Sequence, residues 1–275
     1  MERGMTHRVE KRLIVHCGVQ KTASTAFHHF VQRNRDVLGA HVTILTPEKG
    51  TPTRELGRLC ALFSLGRCTE GDLAAALDAV RAKIEMVKTT CIVSHENIPG
   101  AMPGRSGVVE LFPRLDAIFE IFEDRLGDLV PDYAFYTRQQ DAWKVSVHNQ
   151  AVKSDHYTET LETFLADTAN CDSWAALQKR VEGFVGAERV HFLALEDEED
   201  RQRPGSQLLR LAGVPEDVIA EMSVSKSRSN ESLNAGSLEF LRLVNRLDLP
   251  RTARTAVAKL IQGNPSLFVN ERGAL

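Results

Sequence analysis

The chain predicts an α/β fold of three layers, with a mainly parallel central sheet flanked by helices. Three observations carry that expectation. Five short apolar or β-branched runs, at 13–17, 41–45, 90–94, 133–137 and 189–195, have the length and composition of strands. The stretches between them show helical rather than alternating periodicity. Strands that alternate with helices are joined by crossovers, which make neighbours parallel and cover both sheet faces.

In chain order, the first strand ends at Cys17 and runs into a turn that holds Gly18, Lys21 and several small residues. The chain then becomes helical near Ala23, Ser24 and Thr25. The strand at 41–45 is followed by a helical pattern at 72–87, with Asp72 as its expected cap. After the strand at 90–94, the apolar residues Leu115, Ile118, Phe119, Phe122 and Leu126 follow Pro113. Their spacing of i, i+3, i+4, i+7 and i+11 marks an amphipathic helix. The strand at 133–137 leads into a helix carrying Ser146, and a further helix is expected at 173–185, capped by Asp172 or Ser173. Beyond the strand at 189–195, residues 196–200 are acidic and 224–234 are polar and serine-rich. Helices are expected at 236–247 and 252–262. The expected organisation is one domain over 1–275, with its core at about 12–200 and a helical appendage at about 205–275.

Composition sets outer bounds. Hydrophobic residues at 43% and charged residues at 26% are ordinary for a globular protein with a sizeable core. A net charge of -3 gives no overall pull toward nucleic acid, although a local basic cleft fits inside that total. No apolar run reaches the roughly 18 residues that a membrane span needs. Residues 1–11 are charged, without the apolar stretch of a secretory signal. The five cysteines form neither a CxxC pair nor a zinc-spaced cluster, so they read as reduced thiols, and a cytoplasmic location is expected.

The turn after the first strand is laid out to hold an anion, with backbone N–H groups and the positive end of a helix converging on it. It is not a Walker loop, since Lys21 follows Gly18 by only three residues and no second glycine precedes a lysine. Hydroxyls at Thr22, Ser24 and Thr25 add donors, and Lys21 adds a mobile cation. The alternative is an ordinary βα turn with Lys21 in solvent. A second motif bears on that choice. Arg138 falls at the carboxyl end of a predicted strand, where open α/β sheets bind ligands, and Ser146 lies eight residues on, in the next helix. Ser146, Gln150 and Lys153 share one face of that helix.

These two motifs together resemble the sulfotransferases that use 3′-phosphoadenosine 5′-phosphosulfate (PAPS) and release PAP. That family carries a loop such as PKTGTT after its first strand, and a later Arg with a Ser eight residues downstream. Here Gln20-Lys21-Thr22-Ala23-Ser24-Thr25 takes the loop position, and Arg138 with Ser146 takes the other. The bacterial branch is most similar, its SxYxQxVK motif resembling residues 146–153 with His148 in place of the Tyr, and Asn230-Glu231-Ser232-Leu233 resembles a run near its C-terminus. The resemblance implies a P-loop-like sulfotransferase architecture. Gly18, Gln20, Lys21, Thr22, Ala23, Ser24 and Thr25 would hold the 5′-phosphosulfate, and Arg138 and Ser146 the 3′-phosphate. Lys226 and Arg228 would close over the nucleotide as a basic lid. Gln20 replaces the usual Pro, which is expected to loosen the turn. Ala23 replaces a Gly, so its backbone is expected to avoid positive φ.

The implied chemistry is in-line transfer of a sulfuryl group to a hydroxyl, or an amine, of a carbohydrate, lipid or small-metabolite acceptor. No metal is called for. Lys21 would neutralise charge on the leaving group. Glu96 is the first choice for general base, with His95 the alternative, because both follow the third strand at the edge shared with the anion sites. The acceptor pocket is expected to come from 47–72, 100–112 and 154–172. Competing readings are a P-loop nucleotide kinase or other phosphotransferase, and a non-catalytic PAP- or PAPS-binding protein.

Overall fold

The computed structural model describes residues 11–225 and 233–269. Five strands, β1 (Leu13–His16), β2 (Val42–Leu45), β3 (Thr90–Ser94), β4 (Asp132–Thr137) and β5 (Val190–Ala194), form one sheet in the order β2-β3-β1-β4-β5. Every pairing is parallel. The expected three-layer α/β architecture is therefore present.

The helices follow the predicted alternation. α1 (Ser24–Arg33) and α2 (Arg35–Leu38) lie between β1 and β2, and α3 (Pro52–Ser64) and α4 (Glu70–Glu85) between β2 and β3. α5 (Leu115–Leu126) leads to β4, and α6 (Gln140–Ser154), α7 (Leu161–Asp167) and α8 (Trp174–Val185) lead to β5. α9 (Ser206–Leu211), α10 (Glu216–Glu221), α11 (Ala235–Val244) and α12 (Arg251–Gly263) complete the chain.

Strand residues alternate between two cores, as the pleat requires. Leu13 and Val15 face one core with Leu56, Leu77, Phe119 and Trp143 from α3, α4, α5 and α6. Ile14 and Ile92 face the other with Phe27 and Phe30 of α1 and Leu208 and Ile219 of α9 and α10. Of the C-terminal segment expected as an appendage, α9 and α10 thus complete a layer of the sheet. Leu241 of α11 and Ile261 of α12 instead pack on Val152 of α6.

Several helix starts have an evident cause. Thr51 caps α3 ahead of Pro52, which suits a first helical position because its missing N–H would go unbonded there. Thr69, not Asp72, caps α4, and Asp72 closes a capping box back onto the Thr69 backbone. Ser173 caps α8. α1 has no side-chain cap, so the N–H groups of its first turn are left for another acceptor.

The chain leaves β1 toward β2 on the α1 face, and β3 toward β4 on the opposite face. The connections reverse between these neighbouring strands. A crevice opens outside their carboxyl ends, the place where open α/β sheets take ligands. Among the described residues no helix is long and apolar enough to cross a membrane.

Candidate functional site

The ladder pairs His16 with Ser94, so the loop that begins at Cys17 and the segment His95-Glu96 leave the sheet side by side. The first loop is held from both flanks. Cys17 N donates to Ala134 O at 2.8 Å. Gln20 is buried, and its Nε2 donates to Asn97 Oδ1 at 3.0 Å and to Gly100 O at 2.8 Å. Trp143 Nε1 donates to Gln20 O at 2.8 Å. The substitution expected to loosen this turn anchors it instead, because an amide side chain reaches the β3 loop where a proline could not. Trp143 is fully buried and ties α6 to the loop.

The backbone of the loop is left-handed at two places, Lys21 at φ 68° and Ala23 at φ 69°. The expectation that Ala23 avoids positive φ is thus overturned. The turn onto α1 demands that conformation, and the chain accepts it at an alanine, at a cost of roughly 1–2 kcal/mol per residue. Gly18 is required by close packing, since a Cβ there would lie 2.8 Å from Ser24 Oγ and 3.3 Å from the His16 ring.

The three hydroxyls are in different situations. Thr22 Oγ1 donates to Val19 O at 2.5 Å, inside the turn. Ser24 Oγ is buried without a hydrogen-bond partner, at the uncapped start of α1. Thr25 is exposed on the cleft side. A buried hydroxyl and unused helical N–H groups facing one space are the donors a tetrahedral oxyanion needs.

Lys21 points across the crevice, where its Nζ donates to Gln150 Oε1 on α6 at 3.3 Å. The pKa of Lys21 lies below the usual lysine range, chiefly through burial and then through the positive charges of Lys153 and Arg138, while Glu96 acts the other way. Arg138 Nη1 donates to Ser146 Oγ at 2.9 Å, and Ser146 donates in turn to Ala142 O at 3.0 Å. Trp174 Nε1 fixes the Arg138 carbonyl at 2.7 Å. The structure thus brings Lys21, Glu96, Arg138, Ser146 and Lys153 to one crevice. Lys226, Arg228 and the run 230–232 lie outside the described residues.

Burial raises the Glu96 carboxyl above the usual carboxylate range, and Lys21 pulls in the opposite direction. His95 differs in kind. Burial, reinforced by the Arg54 charge, lowers its pKa to about 4, so the ring is neutral at pH 7. Its Nδ1 accepts from Asn97 N at 3.0 Å, which puts the proton on Nε2. The free nitrogen of His95, Nε2, is therefore a donor, and Glu96 is the group with a free acceptor. The ring packs against Gly57 of α3, where a Cβ would fall 2.1 Å from it.

Sequence reasoning missed a buried chain beneath this surface. Ser94 Oγ lies 2.7 Å from His16 Nδ1 and 2.8 Å from His28 Nε2. Burial lowers the pKa of His16 to about 3, with His28 adding to it, and that of His28 to about 4, with His95 and His29 adding. The available signal was a polar residue closing each of two apolar runs, His16 on β1 and Ser94 on β3. Their pairing becomes visible only once the two strands are neighbours.

In front of Glu96 a cleft of about 1010 Å³ opens between α1, α3 and the loop after β2. Its lining falls largely within 47–67, part of the region expected to receive an acceptor.

Comparison with protein-family models and with curated proteins gives no match for this chain.

Proposed function

We propose that the protein is a PAPS-dependent sulfotransferase acting on a hydroxyl of a carbohydrate, lipid or small-metabolite acceptor. One observation carries the reading. Two cation-bearing segments distant in sequence, the Lys21 loop and Arg138–Ser146, lie together at one crevice with the Glu96 carboxyl. A nucleotide with phosphates at both ends of its ribose needs such a two-ended grip.

The residues present fit that nucleotide. Unpartnered Ser24 Oγ and the free N–H groups of α1 suit its 5′-phosphate, and the Arg138–Ser146 pair suits its 3′-phosphate. Bound PAPS would supply an electrophilic sulfuryl group, to pass from its phosphate oxygen to the acceptor oxygen. Glu96 takes the proton that the acceptor hydroxyl loses, its raised pKa bringing it nearer to neutral pH. Lys21 neutralises charge that grows on the phosphate side. His95 donates through Nε2 and orients the acceptor.

Two measurements test the reading. PAP should bind more tightly than adenosine 5′-phosphate in calorimetry, and ³⁵S should pass from labelled PAPS into an acceptor from a cell lysate. ATP turnover that needs magnesium, with no PAP binding, would establish a phosphotransferase instead.

A further inference from the structure

The cleft in front of Glu96 is rimmed by cations that the protein itself leaves largely unneutralised. Lys49, Arg54, Arg58, Arg67 and Arg105 all line it. Arg58 is committed to Glu55 at 2.5 Å, and Arg105 to Asp155 at 3.2 Å. The remaining lining glutamate besides Glu96, Glu48, is held from outside the cleft by Arg35 at 2.5 Å. Among the described residues Lys49, Arg54 and Arg67 have no carboxylate partner, and the Arg67 guanidinium donates to Ser106 Oγ at 3.1 Å.

Arg54 is placed where local physics disfavours it. It stands in the first turn of α3, two residues after Pro52, where the positive end of the helix repels a cation. Its charge also reaches the buried His95 ring, helping to keep it neutral. A chain whose net charge is -3 has concentrated unpaired positive charge around one cleft, next to the proposed base. At about 1010 Å³ the cleft lies at the upper end of small-molecule sites, so it has room for a ligand of several rings.

Resting on the sulfuryl-transfer reading, we infer that the acceptor is an anion of oligosaccharide size. It presents its reacting hydroxyl to Glu96 and a second oxyanion, whether carboxylate, sulfate or phosphate, to Lys49, Arg54 and Arg67. A fixed negative charge on the acceptor replaces the counter-ion that the protein lacks, and it sets the distance from that charge to the hydroxyl. Neutral acceptors of the same shape would leave the three cations unpaired.

The test uses the full chain saturated with PAP, which fills the phosphate sites and leaves the cleft as the place for a further anion. Dextran, carboxymethyl-dextran, dextran sulfate and dextran phosphate are titrated at low and high salt, so that the three charged arms separate the sources of the oxyanion. At least one charged polymer should bind, more weakly as salt rises, and neutral dextran should not. The double variant Arg54→Gln, Arg67→Gln should weaken that binding by about tenfold or more while PAP affinity is unchanged, which also reports that the variant is folded. Equal binding of neutral and charged polymers, or undiminished binding in the double variant, overturns the anionic acceptor. So does a loss that appears on Arg138→Ala instead. Failure of the wild-type chain to bind PAP is a separate outcome that overturns the sulfuryl-transfer reading itself.

Discussion

The two ends of the crevice are built from different material. At the α1 end the groups left for an anion are backbone N–H groups and one buried hydroxyl, beside a left-handed turn, with Lys21 as the single added cation. At the α6 end the cations are side chains, Arg138 just past β4 and Lys153 on α6, and the Ser146 hydroxyl accepts from Arg138. The first end is specified by conformation and the second by charge. Substitutions should therefore act differently at each. A change at the α1 end that spares the backbone should matter only where it removes Lys21 or the Ser24 hydroxyl, whereas at the α6 end each side chain counts separately.

The largest expected effect is at Lys21. Lys21→Ala removes the one charge at the backbone-built end, and turnover with PAPS should fall by roughly 10²–10³, the cost of losing one preorganised charge stabiliser. The affinity for PAP should change much less, since the N–H donors remain. Steady-state kinetics beside calorimetry separate the two quantities. Near-normal turnover would remove Lys21 from the chemistry.

Arg138→Ala probes the opposite end. A hydrogen bond to a charged group is worth about 1.5–3 kcal/mol, so PAP should bind roughly 10–100-fold more weakly. Adenosine 5′-phosphate, which has nothing to offer this end, should bind as before. Equal losses for both nucleotides would show that the ends are not independent.

How much of this was legible in the sequence follows the same division. The five strands and the amphipathic α5 were readable because parallel strands are continuous apolar runs and helices repeat at 3.6 residues. The charged residues Lys21, Glu96 and Arg138 were readable as well, because each falls just past a strand end, where the fold class puts its ligand edge. Conformation and pairing were not. Nothing local says that Ala23 would take a positive φ, that Gln20 would reach Asn97 and Gly100, or that Ser94 would bridge His16 and His28. Each depends on which strand lies beside which. The proposed preference for Glu96 over His95 likewise rests on a backbone N–H at Asn97, invisible until the chain is folded.

The buried histidines set an acid limit. His16, His28 and His95 have folded-state pKa values lowered from 6.5 to about 3, 4 and 4. Unfolding lets them take up protons in the window between those values and 6.5, so the unfolded state gains as pH falls. Stability should be independent of these groups above pH 7, decline from about 6.5, and stop declining on their account below about 3 to 4. Each can contribute up to about 1.4 kcal/mol per pH unit within its window. Urea unfolding at pH 7.5 and 5.5 checks this, and His28→Asn should reduce the slope by about one proton. Identical midpoints at the two pH values would mean that the histidines are not held neutral.

The smallest effect is the sharpest probe of a conformational end. Ala23 stands at φ 69°, ψ 16°, just before the first turn of α1. Glycine there would relieve a left-handed cost of about 1–2 kcal/mol, offset by the extra freedom it gives the unfolded chain, about 0.4–1 kcal/mol. Ala23→Gly should therefore stabilise the protein by about 0.5 kcal/mol and leave both turnover and PAP affinity unaltered, because no donor moves and no charge is lost. Lys21→Gly relieves the same kind of strain at φ 68°, yet it should lose turnover as Lys21→Ala does. The pair separates backbone from charge at one loop: both variants should melt higher than a reference lacking the relief (wild type for Ala23→Gly, Lys21→Ala for Lys21→Gly), and only the second should be inactive. An Ala23→Gly variant that melts lower, or that loses PAP affinity, would show that the alanine methyl itself holds the turn, and the α1 end would then depend on side chains as the α6 end does.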